Sequence, residues 1–289
     1  MFRERWIPFA FLAPALSGLI IFRLVPIGMS IFGSFFSENI RGDMIFVSFR
    51  NYAELFSDES FWNTLWVTLI FNLIINPFQI VCAMGLALMV QRPTRFIELF
   101  RMTFIIPMTV SIALTSIIWS ILLDPTLGPV NGALRALGLP GQSFFRSESQ
   151  ALPTLILVAT WKGAGYWMIF LLAGLLAIPK EIHDAALVDG ALGWKKFLYV
   201  ILPLMRRPLA FVLVADTAAN FLLFAPVYII TNGGPNGATQ LLMFEAYQAA
   251  FAYLNHGRSM AISTIILVIV LIMAALELRF FKSPEESLK

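Results

Sequence analysis

Chemically capable residues are few in this 289-residue chain, and their types exclude most enzymatic chemistry. No GxxxxGK[ST] stretch is present, so no P-loop can cradle nucleotide phosphates, and any ATP and Mg that drive the protein belong on a partner. The two histidines, His183 and His256, fall on opposite sides of the topology derived below and cannot share a metal ion. No His lies near a Ser in a way that suggests a hydrolytic triad. Cys82 stands alone in an apolar run and reads as packing. Catalytic residues, a directly bound cofactor and a metal site are therefore not expected.

The remaining candidates are polar and aromatic residues set inside apolar segments. They are Asn72 and Asn76, beside Pro77 and Gln79; Ser111, Thr115 and Trp119; Trp161 and Tyr166, flanking Lys162 and Gly163; and Asp216, Asn220, Phe224 and Tyr228. Lipid does not satisfy such groups, so they must face other helices or a path. Sugars suit that lining, because hydroxyls bond to Asn, Asp, Ser and Thr while the apolar ring faces stack on Trp, Tyr and Phe. Asp216, Asn220, Phe224 and Tyr228 recur every four residues, a drift of about 40° per step on an ideal helix that can follow a curved groove. The competing reading is that the aromatics pack and Asn220 bonds across helices. An ionisable Asp216 at that depth needs a partner or a function, with Lys162 and Arg258 as candidate partners.

A second kind of chemistry resides in the polar stretch IPKEIHDAALVDGALGWKKFLYVILPL, residues 178–204. Glu181 to Val188 contains no Gly or Pro, and Lys180 precedes Asp184 by four residues, which predicts a short helix. Gly190 supplies the positive φ of a sharp turn, and a second helix from Trp194 to Val200 is expected to end at Pro203. Ala185 and Ala186 leave a low surface that another protein's groove can approach, oriented by Asp184, Asp189, Lys195 and Lys196.

The elements that position these residues follow from composition. Hydrophobic residues make up 59% and charged residues 13%, with a mean hydropathy of +0.81, which excludes an ordinary soluble domain. The basic residues lie at the ends of apolar segments and form no stripe, so nucleic acid is not an expected partner. Six spans are expected at about 7–36, 64–90, 102–123, 152–178, 208–230 and 257–281, the first retained and not cleaved as a signal peptide. Arg23 is expected to snorkel to an interface. Between spans, 38–61 suits an interface segment and 124–150 is a turn-rich loop. With the N-terminus inside, Arg3, Arg5, Arg92, Arg95, Arg101, Lys180, Lys195, Lys196, Arg206, Arg207, Arg279, Lys282 and Lys289 are internal; Arg41, Arg50, Arg135 and Arg146 are external. That excess puts both termini and the 179–203 loop in the cytoplasm.

Asp184-Ala185-Ala186, Asp189-Gly190-Ala191, Phe197 and Leu202-Pro203 resemble the EAA loop of ABC importer permeases. In that family the loop is the coupling helix, seated in a cleft of a cytoplasmic ATPase. The resemblance implies that these nine residues receive nucleotide-driven motion. Asp184 stands where the family usually has Glu and is one methylene shorter, which implies a weaker or re-routed ion pair with the ATPase. The runs FVSFRNYAELFSDESFWNTLWVT and YIITNGGPNGATQLLMFEAYQAAF resemble sugar and glycerol-phosphate permeases of the MalF/UgpA type. What the resemblance implies is an all-α, six-helix type I importer permease forming a single domain over residues 1–289. It also implies pairing with a second, homologous permease subunit, two ATPase copies, and an extracytoplasmic binding protein that delivers a carbohydrate or polyol phosphate. Gly233, Gly234 and Pro235 would shape the outer loop near that protein, and a structural turn would use them equally well.

Two other classes compete. An ion-coupled secondary transporter of a small polar solute would need internal repeats and coupling carboxylates, but the halves show no repeat and Asp216 is the only carboxylate expected within a span. A membrane anchor would explain the spans and not their polar lining.

Overall fold

The computed structural model describes residues 7–39, 42–91 and 95–281. Arg3, Arg5, Arg41, Arg92, Lys282 and Lys289 of the charge count lie outside the described residues. Contacts divide the chain into two units, Met1–Trp62 with Glu245–Val268, and Asn63–Phe244 with Ile269–Lys289. Two long helices, α4 (Glu59–Val90) and α14 (His256–Phe281), have residues in both.

In the first unit, α1 (Ile7–Leu19) passes through a π turn at Ile20–Leu24 into α2 (Val25–Gly33). The stretch Phe11–Gly33 is long and apolar enough to cross a membrane, and Arg23 is exposed within its π turn. A hairpin follows, β1 (Phe36–Glu38) against β2 (Met44–Phe46), pairing Phe36 with Phe46 and Glu38 with Met44. Helix α3 (Arg50–Ser57) then lies against this strand: the Asn51 amide donates to the carbonyls of Ser34 and Phe36 at 2.7 and 2.8 Å. The segment expected to rest at an interface thus folds into a small cap with Leu55 and Phe61 in its core. Arg258 closes the unit by donating to Asp58 at 2.7 Å and Glu245 at 2.8 Å.

The second unit contains α4 from Asn63, α5 (Arg95–Thr109), α6 (Ile112–Leu122), α7 (Pro129–Ala136), α8 (Glu148–Leu176), α9 (Lys180–Val188), α10 (Gly193–Lys196), α11 (Leu202–Leu204), α12 (Arg206–Phe221) and the start of α13 (Leu242–Tyr247). Its core gathers Ala83, Met84 and Ala87 of α4, Met168 and Leu171 of α8, and Met205, Leu209 and Val212 at the start of α12. Small residues let α8 come close: a Cβ on Gly165 would run into the Phe104 carbonyl oxygen of α5.

Two expected spans are broken. The third consists of α5 and α6, bent by 104° around Val110 and Ser111, and the fifth region bends by 73° between 193–204 and 206–221. Pro107 removes a donor one turn before the first break, and Ser111 starts α6 afresh by accepting from the Ala113 N–H. Near the second, Pro203 does not end its helix as expected. A π turn at Phe197–Ile201 precedes it, so Pro203 sits in the first turn of α11, where no N–H is needed, and the chain turns at Met205. Helix α12 then stops at Phe221, and a further π turn occupies Val227–Thr231. Asp216 and Asn220 therefore share one helix while Phe224 and Tyr228 lie beyond its end, and the four do not form one continuous helical stripe.

Candidate functional site

The elbow between α8 and α12 is built by local backbone chemistry. Helix α9 ends in a Schellman-type closure, with the Ala191 N–H reaching the Ala186 carbonyl at 2.8 Å and the Gly190 N–H reaching Leu187 at 3.1 Å. Gly190 has φ +71°, a left-handed conformation that costs other residues about 1–2 kcal/mol. Asp184 and Ala185 are exposed, but Ala186 is only 5% exposed and turns inward. The low surface expected of two adjacent alanines is thus Ala185 alone. Apolar exposure concentrates on Val188 (87%), Leu192 and Trp194 (69%), which the sequence reading passed over. Trp194 packs on Phe197 with ring centroids 5.2 Å apart, and Lys196 donates to the His183 carbonyl, tying the two arms together. Among the described residues Lys180 and Asp184 form no ion pair, as is common for an exposed pair that gains little. Phe197 begins the π turn, Leu202 and Pro203 form α11, and Asp189 caps α9.

Within the second unit a chain of buried polar groups crosses four helices. Asp216 is 1% exposed, and its Oδ1 accepts from Trp167 Nε1 at 2.6 Å and Gln79 Nε2 at 2.9 Å. Beside it, Thr217 Oγ1 donates to Glu277 Oε1 at 2.7 Å and accepts from Asn76 Nδ2 at 2.9 Å. Asn76 Oδ1 accepts in turn from Asn220 at 2.8 Å. Helices α4, α8, α12 and α14 are joined by these bonds, each worth about 0.5–1.5 kcal/mol net and more where a carboxylate accepts. Neither cation proposed for Asp216 meets it, since Arg258 is bound by Asp58 and Glu245 and Lys162 by backbone. Neutral donors meet Oδ1 because Trp167 and Gln79 project from facing helices at its level, while Oδ2 is buried without a hydrogen-bond partner among the described residues. Glu277, which falls inside the expected 257–281 span, is a member of this cluster that sequence reasoning missed; its signal is a lone acid one turn inside an apolar helix.

Lys162, fifteenth of the 29 residues of α8, reaches the break between α5 and α6, where Nζ donates to the carbonyls of Val110 at 2.6 Å and Pro107 at 3.1 Å. Thr109 Oγ1 covers the Ile106 carbonyl at 2.8 Å, so carbonyls freed by the break are met by side chains. An ammonium at the middle of a span costs about 2.5–3.5 kcal/mol on insertion scales, and two charge-assisted bonds of about 1.5–3 kcal/mol each offset it. Next to Lys162, Trp161 meets Trp119 of α6 edge to face at 5.4 Å. Ser111 caps α6, and Thr115, one turn on, is buried with its hydroxyl unpartnered among the described residues.

The other expected path residues are spread out. Asn72 bonds the Thr68 carbonyl of its own helix, and Tyr166 packs against Trp167 and Phe170. Phe224 and Tyr228 stack at 5.3 Å and both lie against Phe244. Gly234 and Pro235 line a cleft of about 770 Å³ together with Ser120, Asp124, Arg146 and Thr231. Gly233 has φ +81°, and Thr239 braces this turn through Thr231 and the Gly234 carbonyl. Backbone N–H groups of Leu127 and Thr126, with the Thr126 hydroxyl and Arg146, hold the Asp124 carboxyl below its ordinary pKa.

Long apolar helices, two bent spans, a polar seam joining helices and a projecting helix–turn–helix define a polytopic membrane transport component. The chain belongs to the family of binding-protein-dependent transport system inner membrane components, whose family model matches residues 79–280 and so takes in the elbow, Lys162, Asp216 and Glu277. It is 32% identical over 282 residues to the sn-glycerol-3-phosphate transport system permease protein UgpA of Agrobacterium fabrum strain C58, covering 97% of this chain and 96% of that one. It is 28% identical to the sulfoquinovosyl glycerol transport system permease protein SmoG of the same organism, covering 98% and 92%. A chain from the crystal structure of a bacterial alginate ABC transporter in complex with an alginate pentasaccharide-bound periplasmic protein superposes with a TM-score of 0.81 at 21% identity, covering 95% and 93%. The fold is that of type I ABC importer permeases.

Proposed function

We propose that this chain is one half of a non-catalytic, heterodimeric permease in an ATP-driven importer of a carbohydrate or polyol phosphate. An extracytoplasmic binding protein delivers the solute, two copies of a cytoplasmic ATPase hydrolyse ATP, and both termini of the chain face the ATPases. The observation that carries this reading is the elbow: a helix–turn–helix between α8 and α12 that exposes Val188, Leu192 and Trp194 beside Asp184 and Asp189. An exposed apolar knob flanked by charge suits docking in a partner's groove. Its second arm leads through Met205 directly into α12, which bears Asp216, so motion received at the elbow has a short mechanical route to the polar cluster. Relatives named for sn-glycerol-3-phosphate, sulfoquinovosyl glycerol and alginate support the substrate class, since all three solutes carry several hydroxyls.

Vesicles containing the chain, its partner permease and the ATPase, supplied with binding protein and labelled sn-glycerol-3-phosphate or an oligosaccharide, test the proposal. Uptake that requires both ATP and binding protein is the expected result. Uptake by the isolated chain driven by an ion gradient would overturn it in favour of a secondary transporter.

A further inference from the structure

We infer that Lys162 is a positioning residue of the translocation path, holding open the break between α5 and α6 and thereby setting the direction of the half-span that carries Ser111, Thr115 and Trp119. The inference rests on the importer reading for its functional consequence, and on geometry alone for its structural one.

A helix interrupted at membrane depth releases carbonyls that lipid cannot satisfy, and such backbone persists only where protein or a wet cavity meets it. Here the Lys162 ammonium performs that task, with Val110 O at 2.6 Å and Pro107 O at 3.1 Å. One carbonyl belongs to α5 and the other to the connecting residue, so Lys162 fixes the last turn of α5 and the point from which α6 departs at 104°. The hold is local. The Phe104 carbonyl lies where a Gly165 side chain would be, so the lysine side chain works across a gap that α8 and α5 already keep short. No carboxylate pairs with Lys162 among the described residues, which leaves the break carbonyls as its polar partners. A role in folding alone would not need a cation: the hydroxyl of Thr109 satisfies one break carbonyl already, and neutral side chains could satisfy the others. What the long, three-donor ammonium adds is a grip on two carbonyls at once. The consequence reaches the residues along the path. Trp161, adjacent to Lys162, sits edge to face with Trp119 two turns into α6, and Thr115 lies between that pair and the Ser111 cap. If the grip is released, α6 is free to swing, and the Trp119 and Trp161 rings separate.

The test uses the complete importer with Cys82→Ala, so that spin labels placed by Ile121→Cys on α6 and Leu157→Cys on α8 are the only ones on this chain. Both sites are exposed, at 63% and 58%. A 20° swing of α6 displaces a label near its far end by about 5 Å. We expect Lys162→Met to shift or broaden the distance distribution by that amount and to lower ATP-dependent uptake about tenfold to a hundredfold. Lys162→Arg, whose guanidinium also donates twice, restores both. Lys162→Gln, shorter and uncharged with two N–H donors on one amide nitrogen, gives an intermediate shift and serves if the Met variant does not accumulate. An unchanged distance distribution in Lys162→Met and Lys162→Gln overturns the inference, as does a shifted distribution with uptake unaffected. Failure of the parent importer to transport sinks the importer reading instead, while the distances still decide whether Lys162 holds the break.

Discussion

A single oxygen, Asp216 Oδ1, accepts two buried donors, Trp167 Nε1 and Gln79 Nε2, and that arithmetic decides what substitutions do. Asp216→Leu strands both donors. Each unsatisfied buried group costs about 1–3 kcal/mol, so the variant loses about 2–6 kcal/mol and its thermal unfolding temperature falls clearly. Asp216→Asn keeps an acceptor at Oδ1 without burying a charge, and its unfolding temperature stays close to the parent's. The two measurements together separate a need for an acceptor from a need for a carboxylate. At this scale the sequence was readable in kind more than in pairing. Asn76, Asp216 and Asn220 stand out because lipid rejects them, which is a property of one residue at a time. Their partners depend on how helices rotate against one another, so from sequence Lys162 and Arg258 are equal candidates beside Asp216, and it is their contacts with other groups that exclude both. Glu277 lies next to Arg279 near the end of an apolar run, where an acid reads as an interface residue. Only the register that brings it to Thr217 reveals it as part of the seam.

Elements show a different division between what is readable and what is not. Among the described residues, four of the apolar runs coincide with helices long enough to cross a membrane, because about twenty apolar residues are needed to cross a bilayer. The 104° break left a trace in Pro107 and Ser111, but a run of hydroxyls and a proline also fits an unbroken, mildly kinked span. The π turns left none, since one extra residue per turn barely alters the hydrophobic pattern. Packing of α8 on α5 gives a prediction that belongs here. Gly165→Ala places a methyl against the Phe104 backbone, which cannot move aside as a side chain would, and destabilises by about 1–3 kcal/mol. Gly85→Ala on α4 meets nothing within 4 Å and is expected to stabilise by about 0.5–1 kcal/mol. Unfolding temperatures moving in opposite directions would verify the contrast. The loop from Asp124 to Ser147 supplies a pH dependence. Because the Asp124 carboxyl is held below its ordinary value by Leu127 and Thr126, the ionised form belongs to the folded loop. Its contribution is present above the ordinary carboxylate value of about 4 and is lost as pH falls through the depressed one. The protection of the Thr126 and Leu127 amides, their exchange relative to the intrinsic rate at each pH, should therefore fall on acidification, and Asp124→Asn should remove the pH-dependent step.

For the whole molecule the decisive quantity is which side of the membrane the elbow occupies. Charge distribution and the exposed apolar knob are independent observations, the first from Lys and Arg at the ends of spans and the second from Val188, Leu192 and Trp194. On the proposed importer reading, both follow from an elbow that meets a soluble partner in the cytoplasm and an Asp124–Ser147 loop that faces outward. With Cys82→Ala as parent, Val188→Cys should resist a membrane-impermeant maleimide applied to right-side-out vesicles and react in inverted ones, and Ser143→Cys should show the reverse. The same surface predicts coupling. Val188→Asp puts a charge into the centre of the knob and Gly190→Pro cannot adopt φ +71°, so both should reduce ATPase co-purification by about tenfold or more while insertion persists. Labelling of the Val188→Cys variant from outside would place the knob beyond the reach of any ATPase, and full co-purification with both substituted elbows would leave it without a docking role.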